Sequence, residues 1–266
     1  MLGLHIPDAH DKEDVPKDRF EWLGRLIVDR QPDVVVESGD FSDIPSLCKY
    51  EWGKQSHQGS NIDDDVESAR LARSILTAPI RALQEKQRTD KKKVWQPRLI
   101  ALGGNHEHRM DKYRNDNPVL GSRKNSILGK VFNQDVSGAA EQGWEWHEFG
   151  QIVTVQDIDF CHYFVSGSMG RPIGGIDPAR TLVSKRHRSS VQGHDHRLSW
   201  HMEKLKGKEI HGLVGGCYFD HYEPYAGQAN DMWWAGVTLM HNMADGRFEP
   251  EFISLAAIRH DYGGIL

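Results

Sequence analysis

Cysteine is scarce in this chain: 266 residues carry only Cys48, Cys161 and Cys217, far apart from one another. That spacing excludes a CxxC redox or thiolate-metal motif and a disulfide framework, and it predicts a reducing, cytoplasmic setting. Apolar runs are short as well. None approaches the roughly 18 residues needed to cross a bilayer, so no membrane partner is expected, and no charged-then-apolar leader precedes the first motif. Excess positive charge is also missing. With 33 Lys and Arg against 38 Asp and Glu, the formal charge of −5 argues against a broadly basic nucleic-acid-binding face. Bound divalent cations would add positive charge outside that count. The length suits one α/β domain spanning residues 1–266. What the chain has in unusual supply is histidine, 15 residues, and their clustering decides what they mean.

Leu2–Ile6 reads as a short buried strand running into Pro7-Asp8-Ala9-His10. Pro16 suits the first turn of a helix in which Phe20, Leu23 and Ile27 recur at helical spacing, closed by Gln31-Pro32. Val34–Val36 predicts a second strand ending at Ser38-Gly39-Asp40. Asp63, Asp64, Asp65 and Glu67 favour a helix N-terminus, followed by an apolar stripe through Leu83, with Pro79 expected to kink or split that helix. The basic stretch Lys86–Lys93 reads as its solvated end. Leu99–Leu102 predicts a third strand, terminating in Gly103-Gly104-Asn105-His106-Glu107. Residues 108–150 lack a clean period and suit a cap-like excursion over a site. Beyond them the pattern predicts strands at Ile152–Val155, Asp159–Tyr163, Ser190–Gln192, Ser199–Glu203, Ile210–Val214, Gly236–His241 and Phe248–Ser254, with a helix near Pro178–His187. Strands alternating with helices, then mainly antiparallel strands, predict an α/β fold of two packed sheets with helices outside.

Five polar clusters carry the chemistry: Asp8-Ala9-His10, Gly39-Asp40-Phe41-Ser42-Asp43, Gly104-Asn105-His106-Glu107, His162, and Gly193-His194-Asp195-His196. Each ends a predicted strand. Ligands in α/β sheets gather beyond the carboxyl ends of the strands, so residues remote in sequence can converge there. Carboxylates, imidazoles and one amide are donors suited to Mn, Fe, Zn or Ni rather than to an all-thiolate site.

The ordered set D-x-H, G-D-x-x-D, G-N-H-E, H and G-H-D-H resembles the calcineurin-like metallophosphoesterase family. Ile6-Pro7-Asp8, the late Gly215-Gly216-Cys217 and the aromatics up to Trp233-Trp234 resemble its phage-borne branch, which would put the protein in the host cytoplasm. The resemblance implies a four-layer α/β/β/α sandwich of two mixed sheets flanked by helices. It implies a pair of divalent ions, Mn first, with Fe, Zn, Ni or Mg as alternatives. Asp8, His10 and His196 would bind one, Asn105, His162 and His194 the other, and Asp40 would bridge them. It further implies hydrolysis of a phosphodiester or phosphomonoester by metal-activated hydroxide, with His106 as general acid and Asp43 orienting it. A loop cap is the competing role for Asp43.

The pattern departs from relatives in two places. Position 43 is Asp where the purple acid phosphatase branch has a tyrosine ligand, which speaks against a ferric site, and Ile44-Pro45 stands where serine/threonine phosphatases carry an arginine. Arg109, just past the third motif, is a candidate phosphate clamp beside Asn105, with an ordinary surface arginine as the alternative. The remaining histidines (His5, His57, His108, His147, His187, His201, His211, His221, His241 and His260) read as packing or surface. The aromatic stretch between 218 and 234 reads as packing before base stacking. Nucleotides or DNA are the expected substrates; oligomeric state is not legible. A protein phosphatase and a non-catalytic metal-binding scaffold are the alternatives.

Overall fold

The computed structural model describes residues 1–118 and 133–264. Among the described residues, thirteen strands fall into two mixed sheets and a small hairpin. The first sheet is built from β1 (Gly3–Ile6), β2 (Val34–Glu37), β3 (Arg98–Leu102), β4 (Glu145–His147), β12 (Gly236–Ala244) and β13 (Arg247–Ser254), in the order β13-β12-β1-β2-β3-β4. Strands β1 to β4 run parallel, while β12 returns antiparallel beside β1, and β13 beside β12. The second sheet holds β5 (Val153–Val155), β6 (Ile158–Phe160), β9 (Ser190–Gln192), β10 (Leu198–Leu205) and β11 (Lys208–Gly215), in the order β10-β11-β9-β6-β5. Its three inner strands are parallel and both edges antiparallel. The hairpin pairs β7 (Val165–Ser166) with β8 (Arg171–Pro172).

The central strands β1 and β2 and the end of β3 are buried on both faces, which explains why they read as continuous apolar runs rather than as an alternation. Leu4, Ile6, Val35, Ala101, Val237 and Leu239 face a core shared with helices α1 (Asp18–Arg30), α2 (Ile62–Thr89) and α5 (Leu255–Tyr262). Val34, Val36, Ile100 and Leu102 point the other way and interdigitate with Val153, Phe160, Val191 and Leu213 of the second sheet. On that sheet's outer side, Leu182 of α4 (Pro178–Arg186) packs with Phe164, Ile173 and Val214.

The helix boundaries have local causes. Helix α1 stops where Gln31 turns left-handed (φ 44°) ahead of Pro32. Helix α2 starts on an Asn61 cap whose side chain accepts from the Asp63 amide, with three aspartates in its first turn. Pro79 does not split α2. It lies against α1 at Gly24, where an added Cβ would press on Leu76 O and the proline ring. The missing amide is tolerated where two helices meet this closely. Helix α4 begins with an Asp177 cap and Pro178 and ends at a left-handed His187.

The stretch 108–150 contributes α3 (Arg109–Asp116), whose Met110 packs with Ile44, Ala69 and Val136, and the edge strand β4. Its middle, 119–132, lies outside the described residues. Among the described residues no helix is long and apolar enough to cross a membrane.

Candidate metal centre

The five clusters do converge. Asp8 and His10 follow β1, Asp40 follows β2, Asn105 follows β3, His162 follows β6, and His194 and His196 follow β9. The donor atoms of Asp8, His10 and His196 all lie within 4.8 Å of one another, and so do those of Asp40, His162 and His194. Asn105 joins the second group through its Oδ1, 2.9 Å from His162 Nε2. His10 Nε2 stands 4.0 Å from Asp8 Oδ2 and 3.6 Å from Asp40 Oδ2, so it links the two groups.

Backbone geometry aims these side chains at some cost. His10, Asp40, His194 and His196 all have positive φ, between 43° and 70°. Left-handed non-glycine residues cost roughly 1–3 kcal/mol each, and such strain concentrates at functional sites. Close approach adds a glycine requirement at two positions: a Cβ on Gly104 would overlap Asp40 Oδ1, and one on Gly193 would overlap Asp8 Oδ1.

Hydrogen bonds then hold the donors in place. The His194 amide donates to both Asp8 oxygens at 2.9 Å, tying the Gly193 turn to the first motif. Asp40 Oδ1 accepts from the His106 amide at 2.8 Å, and the Asp40 carbonyl accepts from the Ala9 and His10 amides. Glu107, fully buried, accepts from the Gly104, Asp40 and Ser42 amides at 2.8, 3.0 and 2.8 Å. His162 Nδ1 faces the Ser38 carbonyl at 3.1 Å, and Ser38 Oγ meets His5 Nε2 at 3.0 Å.

The donor set fits cations. With Nδ1 donating to Ser38 O, a neutral His162 turns a lone pair from Nε2 toward Asn105 Oδ1 and, at 3.4 Å, Asp40 Oδ2. A cation seated between them would satisfy all three groups. Both ring nitrogens of buried His10 lack a hydrogen-bond partner, a costly condition that metal ligation relieves. Electrostatics agree. Burial would raise the Asp40 carboxyl, but the imidazoles of His106, His162 and His10 outweigh it and hold it well below the carboxylate range. Against burial, the Asp40, Asp43 and Asp8 carboxylates push His10 up to about 9. His194, more affected by burial than by its anionic neighbours, sits at about 4.

His106 and Asp43 form a third group with His10. His106 Nδ1 lies 2.7 Å from Asp43 Oδ1, while its Nε2 faces Arg109 Nη2 at 3.0 Å. A guanidinium only donates, so this contact puts the ring's proton on Nδ1. Arg109 Nη1 donates to the Asp43 and Ile44 carbonyls. Arg109 thus ties the second motif to α3 in this structure, at the edge of a cleft it shares with Asn105.

Reading the sequence for ligands passed over Glu107, which appears in the third motif without a role. Its place directly after the proposed ligand and general-acid positions Asn105 and His106 was the available signal. It also passed over His5 and Ser38, whose support for His162 is visible only once β1 and β2 are paired. The chain matches no protein-family model, and no curated protein matches it.

Proposed function

We propose that this protein is a dinuclear metal-dependent phosphoesterase with the calcineurin-like sandwich fold. Asp8, His10 and His196 would hold one ion, Asn105, His162 and His194 the other, with Asp40 between them. The observation that carries the reading is the pair of donor triads, Asp8-His10-His196 and Asp40-His162-His194, with Asp40 Oδ2 3.4 Å from His162 Nε2 and 3.6 Å from His10 Nε2. The face-to-face sheets, with helices packed on their outer sides, support the fold.

Two divalent cations bound there would lower the pKa of the attacking water and neutralise phosphoryl oxygens as negative charge builds up. The protein's own groups do the rest. Asp43 fixes the orientation of His106 through Nδ1. His106 Nε2, once it has taken up a proton from solvent, would give that proton to the leaving oxygen as the P–O bond breaks, while water supplies the new P–O bond and releases its own proton to solvent. That requires Arg109 to release Nε2, and an incoming anion is a better partner for its guanidinium than a neutral imidazole.

The test is to strip the protein of metal, reload it with Mn, Fe, Zn, Ni or Mg in turn, and assay phosphomonoesters, phosphodiesters, cyclic nucleotides and DNA alongside metal content. Two ions per chain with turnover of at least one ester is the expected result. Two ions without turnover on any ester would favour the scaffold reading, and no bound metal would sink both.

A further inference from the structure

Two clefts meet at the candidate centre, and their chemistry differs. One, of about 470 Å³, leads from Asn105 and His194 past Arg109 and Tyr163 to Lys112 and Trp52. The other, of about 560 Å³, starts from the same His194 and runs between Gly174 and Trp233. Pro172, at the end of the β7–β8 hairpin, lines both. Ring contact between Trp233 and His196, centroids 4.6 Å apart, brings the second cleft against the other ligand group. Each volume is in the range that holds a small organic group. A phosphomonoester has one organic arm and would leave one cleft idle, whereas a diester held at the junction sends one arm into each.

The clefts are not equivalent. In the first, Tyr50 and Trp52 leave 86% and 47% of their surface exposed, an unusual state for large rings. Lys112 makes no ion pair among the described residues, while Lys49 is paired with Asp116. Exposed rings and an uncommitted ammonium on the wall of one cleft suit a flat aromatic group carrying a phosphate. In the second cleft the one Lys or Arg among the described lining residues, Arg197, is locked to Asp195 and to the Gly175 carbonyl. Ile173, Met232 and Trp233 leave it largely apolar.

We propose that the substrate is a phosphodiester with a nucleotide unit seated in the Trp52–Lys112 cleft and the second arm in the Trp233 cleft. This rests on the phosphoesterase reading above. Water adds to phosphorus, one P–O bond breaks, and the products are a phosphomonoester and an alcohol, with no co-reactant.

Two measurements test it. With the Mn-loaded protein, kcat/KM is compared for the p-nitrophenyl ester of thymidine 5′-monophosphate, bis(p-nitrophenyl) phosphate and p-nitrophenyl phosphate. The nucleotidyl diester should lead the other two by about ten-fold or more. Trp52→Ala and Lys112→Ala should each raise its KM about ten-fold, a loss typical of one stacked base or one phosphate contact. Trp52→Phe should recover most of that loss. A monoester preference, or an unchanged KM in both alanine variants, overturns the proposal. A thymidine dinucleotide and a ten-nucleotide single strand, run side by side, show by the higher kcat/KM whether a free dinucleotide or a strand supplies the unit; activity on neither overturns it.

The second measurement is calorimetric titration of thymidine 5′-monophosphate into wild type and Lys112→Ala without added metal. Weaker binding by the variant is expected, and equal binding overturns the cleft assignment. If no ester turns over with any metal, the phosphoesterase reading fails while this titration still decides the cleft.

Discussion

Glu107 Oε2 accepts the backbone amide of Asp40 at 3.0 Å and that of Gly104 at 2.8 Å, so one carboxylate oxygen joins the second and third motifs. Burial, with Asp40 and Glu37 nearby, pushes this carboxyl up to about 8 against the pull of the amides. Glu107→Gln cannot offer acceptors to all three amides, because one of its terminal atoms is an NH2. An unsatisfied buried amide costs about 1–3 kcal/mol. The variant is expected to melt earlier and bind metal more weakly; unchanged melting and affinity would show that the three bonds are dispensable.

If the proposed phosphoesterase reading holds, Asp40 and His106 separate ion binding from chemistry. Asp40→Asn should lose at least one ion by elemental analysis, since its carboxylate is shared by both donor groups; retention of both contradicts the bridge. His106→Ala should keep its metal while turnover falls roughly 10²–10⁴-fold, the usual contribution of a general acid. Undiminished turnover would refute its role.

Arg73 forms a fully buried ion pair with Glu37, stacked 3.8 Å from the Phe41 ring centroid and 4.7 Å from that of Trp144. Glu37 in turn accepts from the Gly39 amide, next to Asp40. Arg73→Met strands a buried carboxylate, and a loss of roughly 3–5 kcal/mol is expected in urea denaturation. The double change with Glu37→Gln should cost less than Arg73→Met alone; an equal or greater loss would mean that the packing, not the charge, matters.

Asp65 supplies a pH-dependent term. Burial lifts its carboxyl from 3.8 to about 6 despite hydrogen bonds from Ser46. The folded chain therefore holds this proton more tightly than the unfolded chain. Its contribution to stability is complete below about pH 4 and is lost as the pH rises through about 6. Asp65→Asn stays neutral and can still accept from Ser46. It should gain on the order of 1–3 kcal/mol over wild type at about pH 7 and little at about pH 4. The same difference at both pH values would rule this out.

Legibility in the sequence followed burial. Val34-Val35-Val36 and Leu99–Leu102 were plain as strands because both sheet faces are covered, and Ser190–Gln192 is found where the pattern put it. Helix α5 was not foreseen, and neither was β4: three residues such as Glu145-Trp146-His147 are too few to show a period, and β3 alone makes them a strand. That β12 and β13 return to the first sheet while β9 to β11 build the second depends on which sheet buries Met240 and Phe248, a tertiary choice that no local pattern records. Within the site, residue types and their strand-end positions were readable. The left-handed turns at His10, Asp40, His194 and His196 were not, since glycine marks such turns and these residues do not.

Strand β1, which delivers Asp8 and His10, is flanked on one side by β2 and on the other by Gly236–Ala244 from near the opposite end of the chain. During synthesis the opening motif therefore waits, half supported, until more than two hundred further residues have left the ribosome. A product cut short before β12 would carry every proposed ligand and still lack the wall that keeps the first of them in register.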